Sequence, residues 1–476
     1  MPELIRQAQP ALRFVPQAFN PTVYHGVRLL LPWWIKHRLG LAAVKAHNVE
    51  SLVHLYQGFQ GGQTRLFFAF RHPSTDDPFC MAYLLWHLVP RQAKAMGIPL
   101  GRPVHSHFMY DLGIPLWAGS LAGWIFPRLG GTTIQRGKAD RQGLKAARDL
   151  LVNGQFPLAA APEGATNDHS ELVNPLEPGI AQLGFWSVED LAKANRSEEV
   201  LIVPIGIQYR YVTPPWKELS EALATLEAAS GLSEAGEAPG LLADGKADRL
   251  YGRLLYLSEH LLEVLEAFYE RVYPSSLDKD GMATTFDHLP NRNAQLVARL
   301  HRLIERALRV AEQYFGLSPS GSFVDRCRRL EQVAWERIYR SDLEELSPLE
   351  RSLADWQAAE SSLRMSHMRL VERLTVVTGQ YILERPTADR FAEIGLILIK
   401  IATWMQGGKP NQMSSFGPRT VQMTVGEPLS VSERWPTYCR DRAAARQAVT
   451  TLTQDLQIAL ENLQETQTAE AATLSP

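Results

Sequence analysis

The sequence predicts an α/β fold in which a mainly parallel sheet is flanked by helices and followed by a series of long helices. Two observations predict it. From Gln63 to about Val212, short apolar runs alternate with stretches of helical periodicity, the pattern of strand–helix–strand units. After Trp216 the short runs give way to long amphipathic segments whose apolar residues recur at helical spacing.

The strands come first. Leu66–Phe70 (LFFAF), Pro157–Pro162 (PLAAAP) and Val200–Tyr209 (VLIVPIGIQY) are short apolar runs bounded by Gly, Pro or polar residues, as buried strands are. Between them, Pro78–Ala95 and Arg141–Asn153 have the periodicity of helices. Leu219–Asp244, rich in Ala, Glu and Gly, reads as a loose connection or a marginal helix. Helices are then predicted over Lys246–Val272, Ala294–Phe315, Phe323–Arg340, Pro348–Glu384 and Ala388–Met405. In the first of them Leu254, Leu255, Leu257, Leu261, Leu262 and Leu265 form a stripe to be buried in a core. Residues 405–430 are rich in Gly and Pro, with one strand-like run at Thr420–Val425, and a last helix is predicted over Asp441–Leu463. No period repeats cleanly, so a solenoid is not expected.

Composition excludes several classes. The chain has 476 residues, is 45% hydrophobic and 21% charged, and carries a net charge of −2. Such a chain is neither disordered nor fibrous. Three well-separated cysteines, Cys80, Cys327 and Cys439, suit a reducing compartment and exclude a disulfide framework or a CxxC metal site. The first residues hold no apolar core with a small-residue cleavage site, so no secretory signal is expected. Residues 1–110 hold eleven Lys/Arg against four Asp/Glu, a net +7 that leaves −9 for the remainder. A basic first quarter attracts an anionic partner: a lipid surface, a phosphorylated substrate or nucleic acid. No recognised nucleic-acid module accompanies it, so nucleic acid is not expected as a partner. No run reaches the roughly 20 apolar residues of a membrane-spanning helix. Val27–Leu41 (VRLLLPWWIKHRLGL) instead sets Leu and Trp among Arg28, Lys36 and Arg38, and Leu112–Pro127 adds Trp117 and Trp124. Both read as interfacial segments, in which Trp sits at headgroup level, or as ordinary buried ones.

Three stretches carry chemistry. In Phe68–Pro78, His72 directly follows an apolar strand, where ligand sites of open α/β sheets collect. Asp77 follows on the turn into the next helix, which Thr75 or Asp76 can cap and Pro78 can begin. An Asp holding the proton of one imidazole nitrogen fixes the tautomer and leaves the other nitrogen as a base. A surface His beside a capping Asp would have the same spacing. In Ala160–Asn167, Glu163 and Gly164 follow another apolar strand and should open on the same sheet edge as His72. The glycine permits close backbone approach to a ligand, although Pro-Glu-Gly is also an ordinary turn. In Leu129–Lys138, Arg136 is placed to grip a phosphate with two donors, with Lys138 nearby as a point charge. Alone, this is a basic loop. His105 and His107 form an H-x-H that would suit a metal-dependent hydrolase, but no further spacing supports it.

Together these pieces resemble the phospholipid/glycerol acyltransferase family, whose best-known members are 1-acylglycerol-3-phosphate acyltransferases. His72 to Asp77 is similar to its H-x4-D block, and Gly130 to Arg136 to its second block of glycine, apolar residues and arginine. Pro162-Glu163-Gly164 resembles the core of its third block, and Ile202–Ile207 around Pro204 its apolar fourth. All four stand in family order. Two departures are plain: Arg71 stands where the family usually has Asn, and Ala165-Thr166-Asn167 where it usually has Thr-Arg-Ser. The second removes an arginine, leaving Arg71, Arg136 or Lys138 to take the phosphate contact.

The resemblance covers about a third of the chain. A later piece, Val421–Val431 with its Gly-Glu-Pro turn, is similar to the strand and turn that close the family's domain. On that reading the fold is glycerolipid acyltransferase-like with a large all-helical insertion. Residues 1–62 form a basic, Trp-containing interfacial segment and 63–215 the acyltransferase core. The insertion spans 216–410, and 411–476 supply the closing strand and C-terminal helix.

The resemblance implies an O-acyltransferase. A fatty acyl group would pass from acyl-CoA or an acyl carrier protein to a hydroxyl of lysophosphatidate or a related lysophospholipid acceptor. His72 would be the general base, Asp77 its orienting partner, and Arg136, Glu163 and Gly164 would hold the acceptor. No cofactor and no metal is implied. There is no G-x-S-x-G for a serine nucleophile, so direct attack is expected. The expected location is cytoplasmic, peripheral on the membrane surface. The alternative is a non-catalytic membrane-surface scaffold on the same fold.

Overall fold

A strand that is apolar at every position must be covered on both faces, and this chain covers one sheet with helices on each side. The computed structural model describes residues 4–135, 140–232, 239–274, 291–377, 380–408 and 415–473. By its internal contacts the chain divides into two units. Of the described residues, an α/β unit takes 14–135, 140–212 and 418–473, and a helical unit takes 4–13 and those between 213 and 417.

The α/β unit runs α1 (Pro21–His37), β1 (Leu41–His47), α2 (Val49–Gln60), β2 (Thr64–Phe70), α3 (Asp77–Tyr83), α4 (Val89–Ala95), β3 (His107–Asp111), α5 (Ser120–Arg128), β4 (Gly131–Ile134), α6 (Arg141–Asn153), β5 (Leu158–Ala160), α7 (Gly179–Lys193) and β6 (Glu199–Tyr211). It is completed by β7 (Arg419–Val425), β8 (Leu429–Ser430) and a C-terminal helix, Arg442–Thr473. The eight strands form one sheet ordered β1-β7-β6-β2-β5-β3-β4, with β8 also on β6. From β6 through β2, β5 and β3 to β4 every pairing is parallel. Strand β7 is antiparallel to β6 and parallel to β1.

Alternation along β2 sorts the two faces. Leu66, Phe68 and Phe70 pack with the buried residues of α1, α2, α3 and α4, among them Leu31, Leu52, Cys80 and Val89. Phe67 and Ala69 pack on the other side with α6, α7 and the C-terminal helix, through Leu151, Leu183 and Leu456. Strand β6 is the longest. Its first half pairs with β2 as far as Ile205 opposite Phe70, and Ile205–Tyr211 run on alongside β7.

The helical unit contains α8 (Trp216–Ala229), α9 (Gly245–Val272), α10 (Arg292–Phe315), α11 (Phe323–Ile338), α12 (Pro348–Leu374) and α13 (Ala388–Met405). Its core is the predicted leucine stripe of α9 joined by Leu300, Leu303 and Leu308 of α10, Leu330 of α11, Leu370 of α12 and Ile397 of α13. Ser322 with Asp325 and Ser347 with Glu350 close capping boxes at the starts of α11 and α12. Gln9–Pro10 pair with Tyr339–Arg340 within this unit.

Several boundaries differ from the sequence reading. Leu219, Leu223 and Leu226 are buried on one face of α8, so of the two readings of this segment, loose connection or marginal helix, its first part takes the helix. The helix predicted from Pro348 to Glu384 ends at Leu374, and only Tyr381–Glu384 resume the turn. The expected Thr75 or Asp76 side-chain cap of α3 is not made. Strands β1, β3 and β4 lie at or next to the sheet edges and carry His, Lys, Thr and Gly, so no apolar run marks them. Residues 14–62, read as a separate segment, supply α1, β1 and α2 to the α/β unit.

Candidate active site

Parallel pairing brings two chain turns together. Ala69 is in register with Ala160, so the chain leaving β2 at His72 and the chain leaving β5 at Glu163 emerge side by side at the C-terminal edge of the sheet. From there the chain turns through Ser74 into α3. Pro78 fits the first turn, and Asp77 is its first residue.

His72 and Asp77 meet as their spacing predicted: Nδ1 of the ring lies 3.0 Å from Oδ2 of the carboxylate. Asp77 is fully buried, while the His72 side chain keeps 21% of its surface exposed. A carboxylate only accepts, so this contact assigns the proton to Nδ1 and leaves the lone pair on Nε2. Among the described residues Nε2 has no hydrogen-bond partner. Oδ2 also accepts from the Ser74 backbone N–H at 2.9 Å, and Oδ1 from the Tyr209 hydroxyl at 2.5 Å. Burial pushes the Asp77 carboxyl above its usual range, against the pull of these donors.

Glu163 joins this group from β5, but through the backbone. Its Oε1 accepts from the His72 N–H at 2.9 Å and from Arg71 Nε at 3.1 Å. Its Oε2 accepts from Asn167 Nδ2 and the Asn174 N–H, both at 3.1 Å. The carboxylate is buried and bound on both oxygens by this chain's own donors. It holds the turn at His72 and the loop 163–174 in place. Gly164 lies at φ +69°, a conformation that side chains disfavour, so the turn itself requires glycine there.

Arg71 is a correction to the sequence reading. Proposed above as one replacement for the missing phosphate arginine, it is wholly buried. Beyond Glu163, its guanidinium donates to the carbonyls of Ser170 and His169 at 3.1 Å and of Leu172 at 2.6 Å. Asn167, in the altered third block, donates to the Leu172 carbonyl as well as to Glu163. The residues at the two departures, Arg71 and Asn167, therefore share their acceptors, the Glu163 carboxylate and the Leu172 carbonyl. Arg136 and Lys138 lie outside the described residues.

His105 and His107 are buried. His105 accepts from Trp86 Nε1 at 2.9 Å and lies 2.8 Å from the Leu129 carbonyl; His107 lies 3.1 Å from the Gly130 carbonyl. Burial pushes His105 down to about 3, so the ring is neutral and Nε2 donates. His107 is paired with Leu158 and sits at the entry end of β3, away from the edge that carries His72. The H-x-H thus anchors the chain entering β4. Among the described residues no group of three His, Cys, Asp or Glu is arranged to hold a metal ion.

Tyr209 and Arg419 escaped the sequence reading. Arg419 pairs with Asp76 at 2.9 Å and lies 4.8 Å over the Tyr209 ring. Tyr209 extends the apolar alternation of Ile205 and Ile207, which marks its face and nothing more. Comparison with the models of known protein families gives no match for this chain, and comparison with curated proteins gives none either.

Proposed function

We propose that this chain is an O-acyltransferase that moves a fatty acyl group from a thioester, acyl-CoA or an acylated carrier protein, to a hydroxyl of lysophosphatidate or a related glycerol-phosphate lipid. The observation that carries the reading is the His72–Asp77 pair, with its ring oriented through Nδ1 at 3.0 Å and Nε2 left at an open sheet edge. Nε2 takes the proton of the acceptor hydroxyl as its oxygen attacks the thioester carbonyl. The tetrahedral intermediate collapses with loss of the thiolate, which receives that proton back from the imidazolium. Asp77 stabilises the imidazolium formed on the way. General-base assistance of this kind is worth about 10²–10⁴ in rate.

The same reading places the protein peripherally on the cytoplasmic side of a membrane. Among the described residues no helix is long and apolar enough to cross one. Helix α1 buries Tyr24, Leu31 and Ile35 but leaves Leu29, Leu30, Trp33 and Trp34 exposed, next to exposed Lys36 and Arg38. Leu116, Leu121 and Trp124, in the helical turns after β3, are exposed too. Trp34 lies 6.2 Å from Phe79, two residues after Asp77, so the apolar face adjoins the helix that carries the site. Apolar and cationic side chains together fit the headgroup region of an anionic bilayer.

The deciding assay offers lysophosphatidate micelles with acyl-CoA or acylated carrier protein and follows phosphatidate by mass spectrometry. Wild type should form product and identify its donor; His72→Ala should lose at least 10²-fold while keeping its circular dichroism spectrum. Equal turnover by His72→Ala, or no product with either donor, overturns the proposal. In vesicle co-sedimentation, a Leu29→Ser/Trp33→Ser double variant should bind anionic vesicles about tenfold more weakly with an unchanged melting temperature. Undiminished binding would remove α1 as the membrane face.

A further inference from the structure

We infer that Tyr209 is a positioning residue for the His72–Asp77 pair, acting through Oδ1 of the carboxylate to set how much charge Oδ2 presents to the imidazole. The inference rests on the reading of that pair as the base of the reaction. Asp77 is fully buried, and a carboxylate there could turn about its terminal torsion and present either oxygen to the ring. Two contacts remove that freedom: the Ser74 N–H at 2.9 Å on Oδ2 and the Tyr209 hydroxyl at 2.5 Å on Oδ1.

Tyr209 arrives from a different part of the fold. Because β6 runs on past its last partner in β2, Tyr209 is paired with Val421 of β7 and can face α3. Its ring is buried, with the Arg419 guanidinium 4.8 Å from its centroid, and Arg419 is tied to Asp76. The titratable and charged groups beside Asp77 include His72, Tyr209, Asp76, Cys80 and Arg419, and beside His72 stand the ion-paired Arg71 and Glu163. Cys80 Sγ lies 3.6 Å from the Tyr209 hydroxyl. Burial and the neighbouring carboxylates push Tyr209 well above its ordinary range and push the Cys80 thiol up as well. Both stay protonated, and the phenol remains a donor at any pH the enzyme meets.

A donor on Oδ1 draws charge away from Oδ2 and so limits how strongly Asp77 holds the imidazolium. In its absence the Ser74 N–H still holds Oδ2 toward the ring, so Oδ2 carries more charge and His72 should become more basic. The test is Tyr209→Phe, which keeps the ring and its stack with Arg419, titrated by NMR of ring-labelled histidine, with His72→Ala assigning the signal. The His72 midpoint should rise by about 0.5–1 pH unit, and the acid limb of the acyl-transfer profile should move by the same amount. Placing 3,5-difluorotyrosine at position 209 makes the phenol a stronger donor and should move the midpoint the other way. A role confined to packing would lower stability and leave the midpoint unmoved, so an unchanged midpoint in both folded variants overturns the inference. The NMR titration needs no turnover. A shifted midpoint in a chain that acylates nothing would refute the proposed reaction and leave the positioning role standing.

Discussion

In the helical unit, buried charge joins neighbouring helices. Arg326 of α11 binds Glu312 of α10 through two contacts of 2.7 Å and also reaches Glu305, and Arg369 of α12 meets Glu331 of α11 at 2.6 Å. These pairs close on themselves. In the α/β unit, Arg71, Asp77, Glu163 and Asn167 gather at one sheet edge, and their contacts end on His72, whose backbone and Nδ1 are held while Nε2 is not. Burying a charge costs several kcal/mol unless it is paired and hydrogen-bonded, so both arrangements must be well satisfied. One arrangement ties helix to helix; the other holds one imidazole by its backbone and Nδ1. The difference separates ion pairs that close on themselves from a cluster that leaves one ring nitrogen without a partner among the described residues.

The largest expected effect breaks one network at a time. Arg71→Ala and Arg326→Ala each strand buried carboxylates and should each cost about 3–5 kcal/mol in urea unfolding. Their effects on chemistry should part: Arg71→Ala frees the 163–174 loop and lowers acyl transfer per folded molecule at least tenfold, while Arg326→Ala leaves it within about twofold. Equal losses of activity in the two variants would erase the contrast.

A smaller effect on stability, with a sign of its own, comes from Asp77→Asn. Burial raises the Asp77 carboxyl in the folded chain, so the folded state binds that proton more tightly than the unfolded state. Such a group supports folding at pH below its unfolded value and gives up that support as pH rises through its folded value; ionised at neutral pH, it is a cost. Asp77→Asn should therefore unfold at equal or higher urea than wild type near neutral pH and lose that advantage toward about pH 4. Acyl transfer should fall by about 10² or more, because the amide no longer stabilises the imidazolium. A variant clearly less stable at neutral pH would show that the hydrogen bonds of the carboxylate outweigh its burial.

Much of the α/β order could be read along the chain because its central strands are apolar at every position and its helices keep a clean period. Leu66–Phe70 and Val200–Tyr209 lie within observed strands, and Arg141–Asn153 is a helix with those bounds. Edge strands could not be read so. Gly131–Ile134 lies in a stretch that reads as a basic loop, and His107–Asp111 opens with the second histidine of an H-x-H. At the site, His72 and Asp77 were legible, since five residues of turn suffice to bring them together. Glu163 was legible as a neighbour of His72 through strand order, though its bonding was not.

By itself, then, the sequence determined what depends on short range: the central strands, most of the long helices, and the reach from Asp77 back to His72 five positions away. Tertiary structure alone decided that Arg71, 92 positions from Glu163, is a buried tie, and that Tyr209, 132 positions from Asp77, holds the carboxylate's other oxygen. The physical reason is burial. A guanidinium or a phenol at the end of an apolar run serves a ligand or the core equally well on paper, and only the packing of β2, β5 and β6 settles which groups lose water and must bind one another.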